Sequence, residues 1–348
     1  MLGKKKHMRK LCLSFAIACV LLTRACHGEL KLGDDTAVVF ATVDEGKQIL
    51  TVRDDFVQRL SPFDRAARLK TDRDVSEIEY LKFVGQNVLA WTENEKQKVE
   101  SAFDGIQAQL KVLSLPFPKT IYMVKTTGNE EGRAPYTRGN AVVIPKDELA
   151  GSTTAIERLI CHELFHVLSR ANPELQERLY ELIGFTKCNE IDFPAKLKAC
   201  KITNPDAPRN DHCIRLQFDG KVIWAVPILF SSTEKYDVTR GGEFFVYLQF
   251  QFLLVERSGD SSDVRPVYDG PNPKLVGMEE VSGFIEQVGR NTEYFIHPEE
   301  ILADNFTLLV LEERNVPSPD ILRKMKDVLT KRQIAEPNVP ADANKPSR

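Results

Sequence analysis

Residues 162 to 166 read His-Glu-Leu-Phe-His. Positions four apart on a helix share a face, so His162 and His166 can offer imidazole nitrogens to a single ion. Glu163, one position on, is directed toward a water beside that ion rather than toward the ion itself. Two imidazoles for zinc and a carboxylate for a general base are the parts of a hydrolytic zinc centre. The competing use of such a helix, with both histidines and the carboxylate hydrogen-bonded in a core, is costly because it buries three polar groups without a metal.

A zinc centre of this kind needs a third protein ligand. Beyond the leader region the histidines are His162, His166, His212 and His297. The metzincin pattern sets a glycine three residues and a histidine six residues past the second histidine. Ser169 and Asn172 stand there instead, which excludes that pattern. The segment 296–306, I-H-P-E-E-I-L-A-D-N-F, offers an acid. Glu300 and Asp304 are four apart and share a face. Glu300 can ligate the metal while Asp304 accepts the outer N–H of a metal-bound histidine, fixing its tautomer and raising its basicity. Glu299 is an alternative ligand, although Ala303 stands four residues after it, and His297 is another. First-turn acids would also suit this helix through its dipole, with no metal involved.

H162-E-L-F-H166 followed by E300-I-L-A-D304 resembles the gluzincin branch of zinc metallopeptidases, the thermolysin-like group with H-E-x-x-H and E-x-x-x-D. The resemblance covers two short helices and the strand before them, and the separation between the two motifs is far longer here. It implies His162, His166 and Glu300 as ligands, Glu163 as base and Asp304 as the partner of His162. It further implies a zincin-like α+β fold, with an antiparallel edge strand near 140–144 that binds an extended substrate. Zinc on three protein ligands keeps a fourth position for water, whose pKa falls toward about 7. Glu163 would take the proton of that water and pass it to the leaving amine. Tyr294 and His297 are the candidate donors to the tetrahedral oxyanion. His297, standing before Pro298, has a second use as a helix cap.

These residues must be positioned by helices, and the sequence marks them. Thr92 and Glu95 form a capping box ahead of Val99, Phe103, Ile106, Leu110 and Leu113 at helical spacing. Stretches 120–125 and 140–144 read as strands. Thr154 and Glu157 read as a second capping box, opening the helix of the motif, which ends near Ala171 before Asn172-Pro173 starts another that runs to Gly184. Residues 186–213 form an irregular Cys-bearing insertion. Asp219-Gly220 joins strands 214–218 and 222–230. Stretch 242–256 reads as a strand and 276–288 as a helix. Pro298 sits at N1 of a helix to about 313, and a last helix covers 320–329. Before residue 91 the signals are a strand at 37–43 and helices at 54–70 and 74–83, so 29–90 is set apart as an N-terminal segment ahead of a catalytic domain at 91–330. The tail 331–348 is polar and proline-rich, the composition of a disordered segment.

The N-terminus carries Lys4, Lys5, Lys6, Arg9 and Lys10, then an apolar run over 11–22, then small residues at Ala25 and Gly28. This is the order of a secretory signal peptide over 1–28, and the run is too short to span a bilayer. Cys26 is a candidate lipid-anchor site, although Arg24 stands where a lipobox has a small residue. An exported protein is expected, with at least one disulfide among Cys188, Cys200 and Cys213. A second zinc site on these cysteines is disfavoured because they lack a Cys-x-x-Cys pair. Hydrophobic residues at 42%, charged residues at 28% and a net charge of −3 suit a soluble globular chain. That balance gives no basic face for nucleic acid. The expected function is an exported zinc metallopeptidase acting on peptide or protein substrates. The alternatives are a zinc hydrolase acting on a non-peptide amide and a secreted zinc-binding module without catalysis.

Overall fold

A computed structural model describes residues 30–32, 35–259 and 262–331. The expected signal peptide, Cys26 and the tail beyond 331 lie outside the described residues. No described helix is long and apolar enough to cross a membrane. The chain is α+β, built on two sheets of six strands each.

The first sheet takes β1 (Leu30–Leu32), β2 (Thr36–Phe40), β3 (Val88–Leu89), β4 (Thr120–Thr126), β5 (Tyr136–Arg138) and β6 (Ala141–Pro145). Its order is β1-β2-β4-β6-β5, with β3 pairing β4. Strands β2, β4 and β6 are parallel, while β1 and β5 are antiparallel to their neighbours. Along β6 the side chains alternate between two cores. Val142 and Ile144 join Ile121, Met123, Phe103 and Ile160 on one face. Ala141 and Val143 join Leu50, Phe56, Tyr80 and Val84 on the other. The second face is covered by α1 (Val43–Leu50), α2 (Asp55–Arg59), α3 (Pro62–Arg68) and α4 (Glu77–Gln86). The stretch set apart as 29–90 is therefore integral to this sheet from residue 30 on, supplying three strands and one helical layer. The single helix expected over 54–70 breaks at Ser61-Pro62, where Ser61 and Asp64 form a fresh capping box.

The first face is covered by α5 (Glu93–Leu113) and α6 (Thr153–Ala171). Helix α5 begins at the expected Thr92–Glu95 capping box. Helix α6 is capped two residues earlier than Thr154: the Ser152 hydroxyl accepts from the Ala155 N–H at 3.2 Å. Glu157 turns away from the cap and lies over Gly105 of α5, where a Cβ would collide with its carboxylate. Next come α7 (Pro173–Leu182) and β7 (Phe185–Lys187), then α8 (Ala195–Cys200) within the insertion.

Strands β8 (His212–Phe218), β9 (Lys221–Ser231), β10 (Leu248–Arg257) and β11 (Val264–Pro266) continue the second sheet from β7 in antiparallel order. A small hairpin of β12 (Tyr268–Asp269) and β13 (Asn272–Pro273) leads to β14 (Leu275–Val276), which pairs β10. Asp219 and Gly220 adopt φ of 49° and 68°, the paired positive values of a two-residue hairpin turn. The strand expected from 242 begins at Leu248, after a 3₁₀ turn at Phe244–Tyr247. The helix expected over 276–288 is reduced to α9 (Phe284–Val288), because Gly283 takes φ 85° and Ser282 bridges to Gln217 of β8. Helices α10 (Pro298–Val310) and α11 (Pro319–Lys331) complete the fold.

The described cysteines are buried thiols, so the disulfide expected within 188–213 is not formed in this structure. Cys200 ends α8 with its thiol on the Lys196 carbonyl, while the Cys188 and Cys213 thiols are buried neighbours.

Candidate metal centre

Helix α6 carries His162, Glu163 and His166, and α10 carries Glu299, Glu300 and Asp304. The two helices are held in register by apolar side chains that exclude water, including Leu164, Phe165, Leu168, Ile301, Leu302 and Phe306. Phe165 and Phe306 meet with ring centroids 5.6 Å apart. Pro298 at N1 and the His297 ring, which accepts from the Glu299 N–H at 3.1 Å, fix the start of α10. That seating aims Glu300 at the motif.

His162, His166 and Glu300 form a group able to hold a metal ion. Glu300 Oε2 is 3.1 Å from His162 Nε2 and 3.7 Å from His166 Nε2. Two donors on one tetrahedral zinc stand roughly 3.3 Å apart, given bonds of about 2.0–2.1 Å. The other oxygen of Glu300 accepts from Asn204 Nδ2 at 2.5 Å, which leaves Oε2 for the histidines.

Each histidine is oriented from behind by its own carboxylate. His162 Nδ1 is 3.0 Å from Asp304 Oδ1, and Asp304 in turn accepts from the Thr292 hydroxyl. His166 Nδ1 is 3.2 Å from Glu299 Oε1. The other oxygen of Glu299 accepts from Tyr180 at 2.5 Å and Ser169 at 2.8 Å. Glu299 is thus the orienting partner of His166, with both oxygens turned from the ligand position, and not the alternative ligand. Adjacent positions on a helix point about 100° apart, which gives Glu299 and Glu300 separate tasks.

Two atoms at the centre are buried without a hydrogen-bond partner, His166 Nε2 and Glu163 Oε2. Buried polar atoms are nearly always paired, so an orphaned pair marks a place built for something else. The donor set, two imidazoles and a carboxylate, suits zinc.

Electrostatics fit this picture. Burial would depress His162, but hydrogen bonds to Asp304 and Glu300 lift it well above its ordinary value. Burial likewise opposes His166, yet Asp206, Glu300 and Glu299 raise it to about 9. Burial tends to raise Glu300, and the two imidazoles with Asn204 override it and hold the carboxyl down at about 2. Glu163 moves the other way, pushed up to about 8 by burial and then by Asp206. Imidazoles ligate a cation only when deprotonated, so affinity at this site should rise with pH.

The centre opens into a cavity of about 360 Å³. His162, Glu163, Glu300 and Asp304 line it, and Phe244, Phe245, Leu229 and Leu248 make an apolar wall. Tyr294 also lines it. Although 43% of the residue is exposed, the enclosed setting of its hydroxyl, and then the charges of Glu300, Asp206, Asp304 and Glu163, raise the tyrosine above its ordinary value. His297 does not line the cavity. It is committed to capping α10, and burial lowers it to about 4, so it is no oxyanion donor. The antiparallel edge strand is β5 and not 140–144, since β6 lies inside the sheet between β4 and β5.

Asn204 and Asp206, from the insertion, complete the cavity. No motif marks them in the sequence. Glu299 could have been inferred, because a second metal-facing histidine also calls for an orienting acid. Removing such a partner typically weakens metal binding. Asp304→Ala is expected to lower zinc affinity about 10–100-fold in competition with a chromophoric chelator. An unchanged affinity would refute its orienting role.

In comparisons with known proteins, no protein-family model matches the chain, and neither a curated protein nor a solved structure does.

Proposed function

We propose that this chain is an exported zinc-dependent peptidase of zincin-like build, with His162, His166 and Glu300 as metal ligands and Glu163 as general base. The observation that carries the reading is the orphaned, buried pair of His166 Nε2 and Glu163 Oε2 beside Glu300 Oε2. A structural zinc site has no use for a buried base beside it. The basic and then apolar order of residues 4–22 supports export.

Zinc bound there supplies Lewis acidity toward a carbonyl oxygen and acidifies water. The rest falls to side chains of this chain. Glu163 Oε2, free of other partners, accepts the proton of the attacking water and returns it to the leaving nitrogen. Tyr294, kept protonated, can donate to the oxyanion as charge builds on it. Phe244, Phe245 and Leu248 offer an apolar wall against which a substrate side chain can pack.

The purified protein should bind about one zinc per chain and hydrolyse peptides, with activity lost to a chelator and restored by zinc. Glu300→Ala should abolish stoichiometric zinc, measured by metal analysis after gel filtration, whereas Glu299→Gln should only weaken it. Full zinc occupancy in Glu300→Ala would remove Glu300 from the ligand set.

A further inference from the structure

Residues Thr203, Asn204, Pro205 and Asp206 run through the candidate active-site cavity as a strap. Its first end is pinned by buried groups of α3. Thr203 donates its hydroxyl to Asp64 at 2.8 Å and its N–H to the same carboxylate, while its carbonyl accepts from Arg68 at 3.1 Å. Its middle is pinned by Asn204 on Glu300 at 2.5 Å. Its far end is pinned to β5. Asp206 Oδ1 accepts from the Thr137 N–H at 2.8 Å and from the Thr137 hydroxyl at 2.5 Å. Arg170, on the same helix as the motif, donates to the Asp206 carbonyl at 3.2 Å and to the Thr137 hydroxyl at 2.8 Å. A segment held at both ends and in the middle is a wall and not a mobile lid.

The blocked group matters. An edge strand binds an extended chain through its outward N–H and C=O groups. Strand β5 has three residues, and the Thr137 N–H, which faces away from β6, is already spent on Asp206. The Asp206 carboxylate also lies within 4.8 Å of the donor atoms of Glu163 and His166, beside the reacting centre. A polypeptide running straight through would have to displace a buried carboxylate and its two hydrogen bonds.

We infer that the strap 203–206, closed by Asp206 on β5, restricts this site to short peptides and chain ends and excludes the interior of a long chain. This rests on the peptidase reading and names its substrate class. The cavity size agrees, since about 360 Å³ is at the small-ligand end of binding sites.

The test has a kinetic and a binding arm. Zinc-loaded wild type should hydrolyse a free tripeptide and trim an unstructured protein only from its ends, as read from product masses. Asp206→Ala should yield internal fragments and cut a long peptide blocked at both ends. In the Glu163→Gln background, calorimetry should detect the tripeptide but not the long blocked peptide. Adding Asp206→Ala should tighten the blocked peptide about 2–10-fold, as expected for one freed backbone hydrogen bond. Internal cleavage by wild type, or equal binding of both peptides by Glu163→Gln alone, overturns the inference and leaves the peptidase reading standing. No hydrolysis of any peptide together with no retained zinc overturns both. If Asp206→Ala does not fold, the wild-type products and the Glu163→Gln binding decide the matter.

Discussion

Glu163→Gln is expected to keep about one zinc per chain and to lose peptide hydrolysis by roughly 10²–10⁴-fold, the range supplied by a positioned proton-transfer group. The substitution keeps the volume of the side chain and removes its basicity. Glu163 is 2% exposed and its Oε2 has no hydrogen-bond partner, so Gln, of the same shape, breaks no hydrogen bond at that oxygen. It stands outside the set formed by Nε2 of the two histidines and Oε2 of Glu300, although with His166 and Asp206 it makes a second group whose donor atoms lie within 4.8 Å of one another. In the metal-free protein stability should therefore hold or rise, because burial makes this carboxylate costly to keep ionised. Metal content, urea unfolding and peptide turnover measured on one preparation separate these effects. Turnover equal to wild type would sink the mechanism, and loss of zinc would show that Glu163 ligates.

The second large effect lies away from the metal. Arg68→Met should cost about 3–5 kcal/mol of stability, the usual penalty for leaving buried charges without their partner. The Arg68 side chain is fully buried. Nη1 bonds Asp64 at 2.7 Å, Nε bonds Glu131 at 2.9 Å, and Nη2 also contacts Glu131. The guanidinium lies 4.4 Å from the Phe244 ring centroid. Removing it leaves two buried carboxylates facing one another. The urea midpoint should fall while the slope is unchanged. Arg68→Lys should restore little, because an ammonium cannot hold two carboxylates in the forked geometry of a guanidinium. Since Arg68 also bonds the Thr203 carbonyl, the loss should loosen the strap as well. An unchanged midpoint for Arg68→Met would show that the cluster carries no net stability.

How much was legible in the sequence depended on how local the signal was. The fixed spacing of His162, Glu163 and His166, and the Glu300–Asp304 pair, are properties of single helices, so they could be read directly. So could the Thr92 cap and the Asp219-Gly220 turn. Competing hydroxyls misplaced the start of α6: Ser152, Thr153 and Thr154 all offer caps, and the position of Gly105 on another helix decides where Glu157 goes. The expected helix at 276–288 failed because strand pairing at Val276 and Ser282 overrides local propensity. Asn204 and Asp206 were invisible, since an irregular segment has no period to betray which side chains turn inward. The β5 edge was missed for a similar reason, three residues being too few for an alternation to register.

The pairing of α6 with α10 also bears on how such a protein can diverge. His162 and Glu300 are 138 positions apart, yet nothing in their meeting depends on that number. Their geometry is set by one helix–helix contact together with Asn204 on Glu300, and the rest of the intervening chain leaves and returns through the second sheet. Loop length carries only a logarithmic entropic cost. Descendants could therefore lengthen, trim or rebuild the second sheet while the two helices stay locked. What would be inherited intact is a pair of short segments with no fixed distance between them. Kinship in such a lineage would be sought more profitably in the joint presence of H-E-L-F-H and E-E-I-L-A-D than in overall alignment.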